Sequence, residues 1–308
     1  MPSVRVLSYA GRFLLAPAAN VLAIVVCVFV LLNALPSDPA RVRLGTRYNE
    51  RDAQAIRREY GLDRPLPEQF AIYVGEIARG DFGVSIRTGE NIADGLAARL
   101  PVSTALVALS FVIAAAVVPL AVLAALRPHR VFDLLEGLLL DLSVVPPFVT
   151  GALVIFAAAA LFDVSLLSGF TGATSDLVVP ALLLSAFPAF ALYKITRDTL
   201  SETLGQPFIE SYRAFGFPPG RVVRMALRSC APPILGITTN LVAYYLSSIF
   251  VVEFLFALGG IGAWGVNSAR NYDTPVVLAT VLVSGVVYNA VSAFTSALLS
   301  LLDRGRAA

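Results

Sequence analysis

Two runs of polar residues stand out beside the apolar segments of the sequence, and neither holds the groups that covalent chemistry needs. The first is FIESYRAFGFPPGRVVRM, residues 208–225, with one carboxylate (Glu210), three arginines (Arg213, Arg221, Arg224), two glycines and a proline pair. Its aromatics at 208, 212 and 215 fall on one face of a helix, beside a charged rim. That is the composition of a protein–protein docking patch; the same rings could instead pack back onto neighbouring helix ends. The second run lies in one apolar stretch: Asn240, Tyr244, Tyr245, Ser247, Ser248 and Glu253. Positions 240, 244 and 247/248 share a helical face. An amide, a phenol and hydroxyls there can line a path for a polar solute or bond a neighbouring helix. Glu253 lies in the outer half of that helix, where a carboxylate is costly unless paired or wet, so it is a functional candidate. Arg270 is its expected partner, with Asp273 close by in the topology. Asp141, with Asp133 and Glu136, reads as interfacial.

Other chemistries lack their residues. His129 is the only histidine, and the two cysteines, Cys27 and Cys230, lie far apart in the topology below. These exclude a His/Cys metal centre and argue against a disulfide. Without a G-x-x-x-x-G-K-[ST] phosphate loop, the chain cannot hydrolyse ATP by itself. A Ser/His intramembrane protease fails because His129 sits in a loop, and a di-aspartate one because Asp141 has no mid-membrane companion. No charged ring or filter-like run suggests a channel. A net charge of +2 gives no reason to expect nucleic acid.

The elements that position these residues are membrane helices. Of 308 residues, 57% are hydrophobic and 14% charged, with mean hydropathy +0.77, where a soluble domain carries about a quarter charged. A bilayer core of about 30 Å takes about 20 apolar residues per helix. Six segments qualify: 13–35, 102–126, 134–162, 177–195, 233–258 and 275–302. The first is too long for a signal-peptide core and is read as retained. Pro180 and Pro188 in the fourth mean either a bent helix or a shorter straight one with a proline at each end. Arg5, Arg12, Arg127, Arg130, the 196–232 loop, Arg304 and Arg306 fall on one side, so both termini are expected in the cytoplasm. The long external loop, 36–101, balances ten arginines with ten acidic residues and so does not overturn that assignment.

This loop should form a small helical cap. Asn49 can cap a helix with Asp52 reaching back, Ala53, Ile56 and Tyr60 forming its apolar face and Gly61 its stop. Pro67 suits the first turn of a second helix, with Phe70, Tyr73, Val74 and Ile77 on one face and Gly80 as its stop. The organisation expected is therefore 1–35, the N-terminus and first span; 36–101, the external helical loop; and 102–308, a core of five spans. Within 196–232, Gly205 and Pro207 end one helix, a second runs from about 208 to 215, and Gly216 with Pro218, Pro219 and Gly220 stops it. Gly216 is expected at positive φ. No internal repeat is visible, which argues against an inverted-repeat secondary transporter.

Glu210 to Gly216, ESYRAFG, resembles the EAA loop of ABC-importer permeases. Glu210 and Gly216 match that motif, Ser211 and Tyr212 replace its alanines, and Ala214 fits a related form. The rest of the chain is similar to the dipeptide/oligopeptide (nickel) permease subfamily. LPSDPA (35–40), EYGLDRPLPEQF (59–70) and RGDFGVSIRTGENI (79–92) resemble its first-loop motifs. LSVVPPFVTG (142–151) matches at Pro147, Phe148 and Gly151. VVEFLFALGGIG (251–262) matches at Glu253, Phe256, Gly260 and Gly262, with Gly259 where the family has proline.

The resemblance implies an all-α type I importer permease in the bacterial cell membrane, itself without catalytic activity or bound cofactor. ATP and Mg would sit on partner subunits. The partners implied are a second related permease, two P-loop ATPases and an extracytoplasmic solute-binding protein. Glu210, Ser211, Tyr212, Ala214, Phe215 and Gly216 would then form a coupling helix against an ATPase, and Asn240, Tyr244, Ser248, Glu253 and Arg270 the pathway and outer gate. Di- and oligopeptides are the substrates implied first, with nickel chelates, glutathione, haem and sugars also carried within the family.

Overall fold

A computed structural model describes residues 19–27, 29, 30, 33, 40, 44, 48–59, 61–167 and 169–307; the side chains of residue 59 and of 301–307 are not described. The chain divides into two compact units, Met1–Ser103 with Leu258–Asn289, and Thr104–Ala257 with Ala290–Ala308.

In the first unit, residues 19–27 are helical, followed by α1 (Glu50–Glu59) and α2 (Leu66–Ile77). Asn49 caps α1: its Oδ1 accepts from Asp52 N at 2.8 Å, and its Nδ2 donates to the Asp52 carboxylate at 2.5 Å. Ala53 and Ile56 are buried with Ala40; Tyr60 lies outside the described residues. Gly61 follows at φ +62° and Gly80 at φ +80°. Phe70 and Tyr73 turn inward onto Phe29, with ring centroids 5.2 and 6.5 Å away. The cap helices therefore form as their punctuation dictates.

The helix α3 (Ile92–Ala115) begins ten residues before the expected span, because Asn91 Oδ1 caps it by accepting from Ala93 N at 2.9 Å. It is followed by α4 (Val118–Leu126), α5 (Arg130–Val144) and α6 (Pro147–Phe162). The expected span 134–162 is thus not one helix: the chain turns by 94° between α5 and α6. Pro146 and Pro147 cause the break. Each disfavours the α region in the residue before it, and Val145 (ψ 124°) and Pro146 (ψ 139°) are both extended.

Next come α7 (Ser175–Leu204), α8 (Pro207–Ala214), α9 (Pro219–Leu255), α10 (Ile261–Arg270) and α11 (Thr274–Ala307). Pro180 and Pro188 both lie inside α7, so the alternative of a shorter helix flanked by prolines does not hold. Among the described residues, four helical stretches are long and apolar enough to cross a membrane, and the α5–α6 pair makes a fifth if counted as one broken span. Of the first expected span, 13–35, the described residues are 19–27, 29, 30 and 33, all of them helical. In the second unit α7 is central, packing against α4, α5, α6 and α9, while α6 and α8 also pack on α9.

Candidate functional site

The short helix α8 is built to be held from one side and presented on the other. Pro207 sits in its first turn, where a missing N–H does no harm. Its end is a Schellman turn: Gly216 N donates to Arg213 O at 3.0 Å and Phe217 N to Tyr212 O at 3.2 Å. Gly216 has φ +73°, which residues with a Cβ adopt only at a penalty. The rings of Tyr212 and Phe217 meet edge-on at 5.4 Å, the apolar contact that accompanies such a turn. Ile209 is fully buried with Leu200, Val222, Ala226 and Cys230, and Tyr212 packs against that cluster. Burying Ile209 stabilises the seat by about 1.5–3 kcal/mol. Cys230 also donates to Thr203 Oγ1 at 3.2 Å, tying α9 to α7 beneath α8.

The aromatic residues therefore divide. Tyr212 packs back onto the helix ends, whereas Phe208 is 42% and Phe215 80% exposed. Glu210, Ser211, Arg213 and Ala214 are exposed between them. Two apolar rings and a charged rim on an eight-residue rod form a surface suited to a groove on a partner.

On α9, Asn240 and Ser247 are exposed, and Tyr244 and Ser248 half-buried. Ser247 donates to Tyr244 O at 2.9 Å, so this hydroxyl is spent on its own helix. Leu241, Tyr245, Ile249, Val252 and Glu253 form the buried side, with Ser110 Oγ 3.4 Å from Tyr245 Oη. Helical geometry separates Tyr244 from Glu253 by half a turn of the wheel. The structure thus brings Asn240, Tyr244 and Ser248 together and puts Glu253, fully buried, on the opposite face. Arg270 is the last residue of α10 and belongs to the other unit. Gly259 has φ +69°, a conformation closed to proline.

Two arrangements escaped sequence reasoning. In the first unit Asp273 is buried and accepts from Ser85 Oγ at 2.5 Å and Ile86 N at 3.1 Å, fixing the turn that leads into α3. Arg99 pairs with Glu90 at 2.8 Å and lies 4.3 Å over the Trp264 ring. In the second unit Lys194 and Arg197 of α7 meet Asp133 and Glu136 of α5. Lys194 Nζ is 2.8 Å from Glu136, and Arg197 Nη2 is 2.6 Å from Asp133 while its other nitrogen bonds Glu136. The available signal was matching i,i+3 spacing on both helices.

Comparison with known proteins places these features in a family. Residues 117–307 match the family described as binding-protein-dependent transport system inner membrane component, and residues 7–107 its N-terminal counterpart. The chain is 32% identical over 276 residues to the dipeptide transport system permease protein DppB of Bacillus subtilis (strain 168), covering 88% of this chain and 89% of that protein. It is 27% identical over 311 residues to the oligopeptide transport system permease protein AppB of the same organism, covering 96% and 98%. It is 30% identical over 286 residues to the DppB protein of Lactococcus lactis subsp. cremoris (strain MG1363), covering 91% and 92%.

Proposed function

We propose that this chain, which belongs to the family of binding-protein-dependent transport system inner membrane components, is the permease subunit of an ATP-driven importer of di- and oligopeptides. It is a multi-pass protein of the bacterial inner membrane. The observation that carries the reading is α8: a short rod seated by Ile209 and Tyr212, stopped by Gly216, and offering Phe208, Glu210 and Phe215 outward. In this reading α8 docks on one of two P-loop ATPase subunits. Their closing and opening moves α7 and α9, and a ligand can shift such a two-state equilibrium only by binding one state more tightly. A second, related permease completes the path, and an extracytoplasmic solute-binding protein delivers the solute. The fold then has six spans with both termini in the cytoplasm. Residues 36–101 cap the outer surface, and 102–308 form the transport core. The α9 face carrying Asn240, Tyr244 and Ser248 lines the path, and Glu253 and Arg270 contribute to its outer end. The names of the relatives support peptides as the solute.

The test is uptake by proteoliposomes carrying the purified complex and its binding protein. The expected result is ATP-dependent accumulation of a radiolabelled dipeptide, competed by other peptides. Uptake of a nickel chelate, glutathione or haem in its place would move the substrate within the family. Solute uptake without ATP would reject the importer reading.

A further inference from the structure

A push on α8 reaches the spanning helices only through what α8 is joined to. Its apolar seat leads into α7 and α9 through Leu200, Val222 and Ala226. The helix α7 runs unbroken from Ser175 to Leu204, so the part beside α8 and the part beside α5 are one rod. Between about one and two turns before Leu200, that rod carries Arg197 and Lys194, the only lysine in the sequence. Arg197 holds two carboxylates of α5, Asp133 and Glu136, and Glu136 in turn holds two cations, Arg197 and Lys194. Lys194 is fixed from its own helix by Asp198 at 3.0 Å. Tyr193, fully buried, donates its hydroxyl to Phe132 O at 3.1 Å in the same contact.

Isolated exposed ion pairs transmit little, because either partner can leave for water. In this cluster the outer members are open to water, Lys194 at 45% and Asp133 at 62% exposed, but the shared centre is not. The side chains of Glu136 and Arg197 are only 20% and 21% exposed, and a guanidinium fork holding two carboxylates has a defined direction as well as attraction. Beyond the contact, α5 runs to the break at Val145–Pro146, and α6 then packs on α9 with Gly151 against Leu255. A Cβ at Gly151 would fall 2.6 Å from Leu255 Cδ2, so that approach is close. The two halves of the broken span are thus held differently: α5 packs on α7, whereas α6 packs on both α7 and α9.

We propose that the Asp133–Glu136–Lys194–Arg197 cluster makes α5 a second follower of the docking helix, with Glu136 the positioning residue that both cations share. Movement of α7 carries α5 with it, while α6, which also touches α9, is held by both rods, and the break absorbs the difference. The proposal rests on the importer-permease reading above and adds to it a route inside the chain.

The test uses the complete transporter with its ATPase and binding-protein partners, reconstituted in proteoliposomes. The variants are Glu136→Gln, Asp133→Arg, Arg197→Asp and the double exchange Asp133→Arg with Arg197→Asp. Dipeptide uptake per ATP hydrolysed, subunit stoichiometry and thermal midpoint are read for each. The expected result is a fall of about threefold to tenfold in uptake per ATP for each single variant, with the complex intact, and recovery in the double exchange. A bracket that only stabilises the fold would lower the thermal midpoint and leave uptake per ATP unchanged in the surviving complex. That result overturns the proposal, as does a double exchange no better than its singles. If the two charge reversals do not assemble, Glu136→Gln, which keeps the side-chain volume, decides alone. ATP-independent uptake by the unaltered complex would overturn the importer reading itself, and the relay with it.

Discussion

The turn that holds α8 and the turn that holds Asp273 end in opposite conditions. The first links α7 to α9, and the second links the ten-residue α10 to α11. Around Asp273 the polar groups turn inward and satisfy one another: its carboxylate takes the Ser85 hydroxyl and the Ile86 amide, and Arg99 is shared by Glu90 and Trp264. Around α8 the apolar seat is satisfied, but Glu210 and Phe215 are exposed and Phe208 is partly so. A polar turn that closes on itself is a fastener; one that keeps a rigid, mixed face open is a surface for another molecule. Burial of the polar groups in one turn and their exposure in the other separate the two.

The largest effect should come from Gly216→Pro. Proline cannot adopt φ +73°, and it removes the amide that donates to Arg213 O. A disruption of about 3 kcal/mol or more exceeds what an eight-residue helix can withstand. Stimulated ATPase activity and recovery of ATPase subunits with this chain should both be lost. Ile209→Ala comes next. Removing a fully buried side chain from the seat of α8 should destabilise by about 2–5 kcal/mol, measured by the thermal midpoint of the purified complex, with coupling falling in step.

On the fastener side, Asp273→Ala leaves the Ser85 hydroxyl and the Ile86 amide without their acceptor. That should lower stability by about 1–3 kcal/mol while uptake per ATP in the remaining folded protein stays normal. Gly95→Ala tests the same region with an optical readout. A Cβ there would fall 2.6 Å from the Trp264 ring, so the ring must shift off Arg99, at about 1–3 kcal/mol. Trp264 is the only tryptophan, so its emission reports that shift directly. The smallest stability effect, within about 0.5 kcal/mol, belongs to the 80% exposed Phe215. Phe215→Ala should nonetheless reduce stimulated ATPase activity, and this split between stability and coupling is what distinguishes the two turns.

How much of this was legible in the sequence depended on whether the signal was local. The start and stop of α8 were, because Pro207 and Gly216 punctuate it and the Schellman turn needs a glycine where one stands. The caps at Asn49, Gly61 and Gly80 were legible for the same reason. The break between α5 and α6 was not, because hydropathy summed over 134–162 passes smoothly across Val144–Phe148. The proline pair at 146–147 was the available warning, yet Pro232 and Pro233 lie inside α9 without ending it, so the dipeptide alone does not decide. The Asp133–Glu136–Lys194–Arg197 cluster and the Asp273 fastener depend on residues about 60 and 190 positions apart. No spacing rule on one helix reaches that far. The grouping of Glu253 with Tyr244 followed their shared helix, whereas the helical wheel sets them on opposite sides.

The central claim is that the open face of α8 is an ATPase docking surface. The most direct measurement is site-specific cross-linking from a photoreactive residue placed at Phe215 in the assembled complex, with the products identified by mass spectrometry. The account predicts one dominant adduct to a P-loop ATPase subunit, its yield changing between nucleotide-free and ATP-bound states. An adduct to lipid, or to this chain itself, in a complex that still imports with ATP would contradict it.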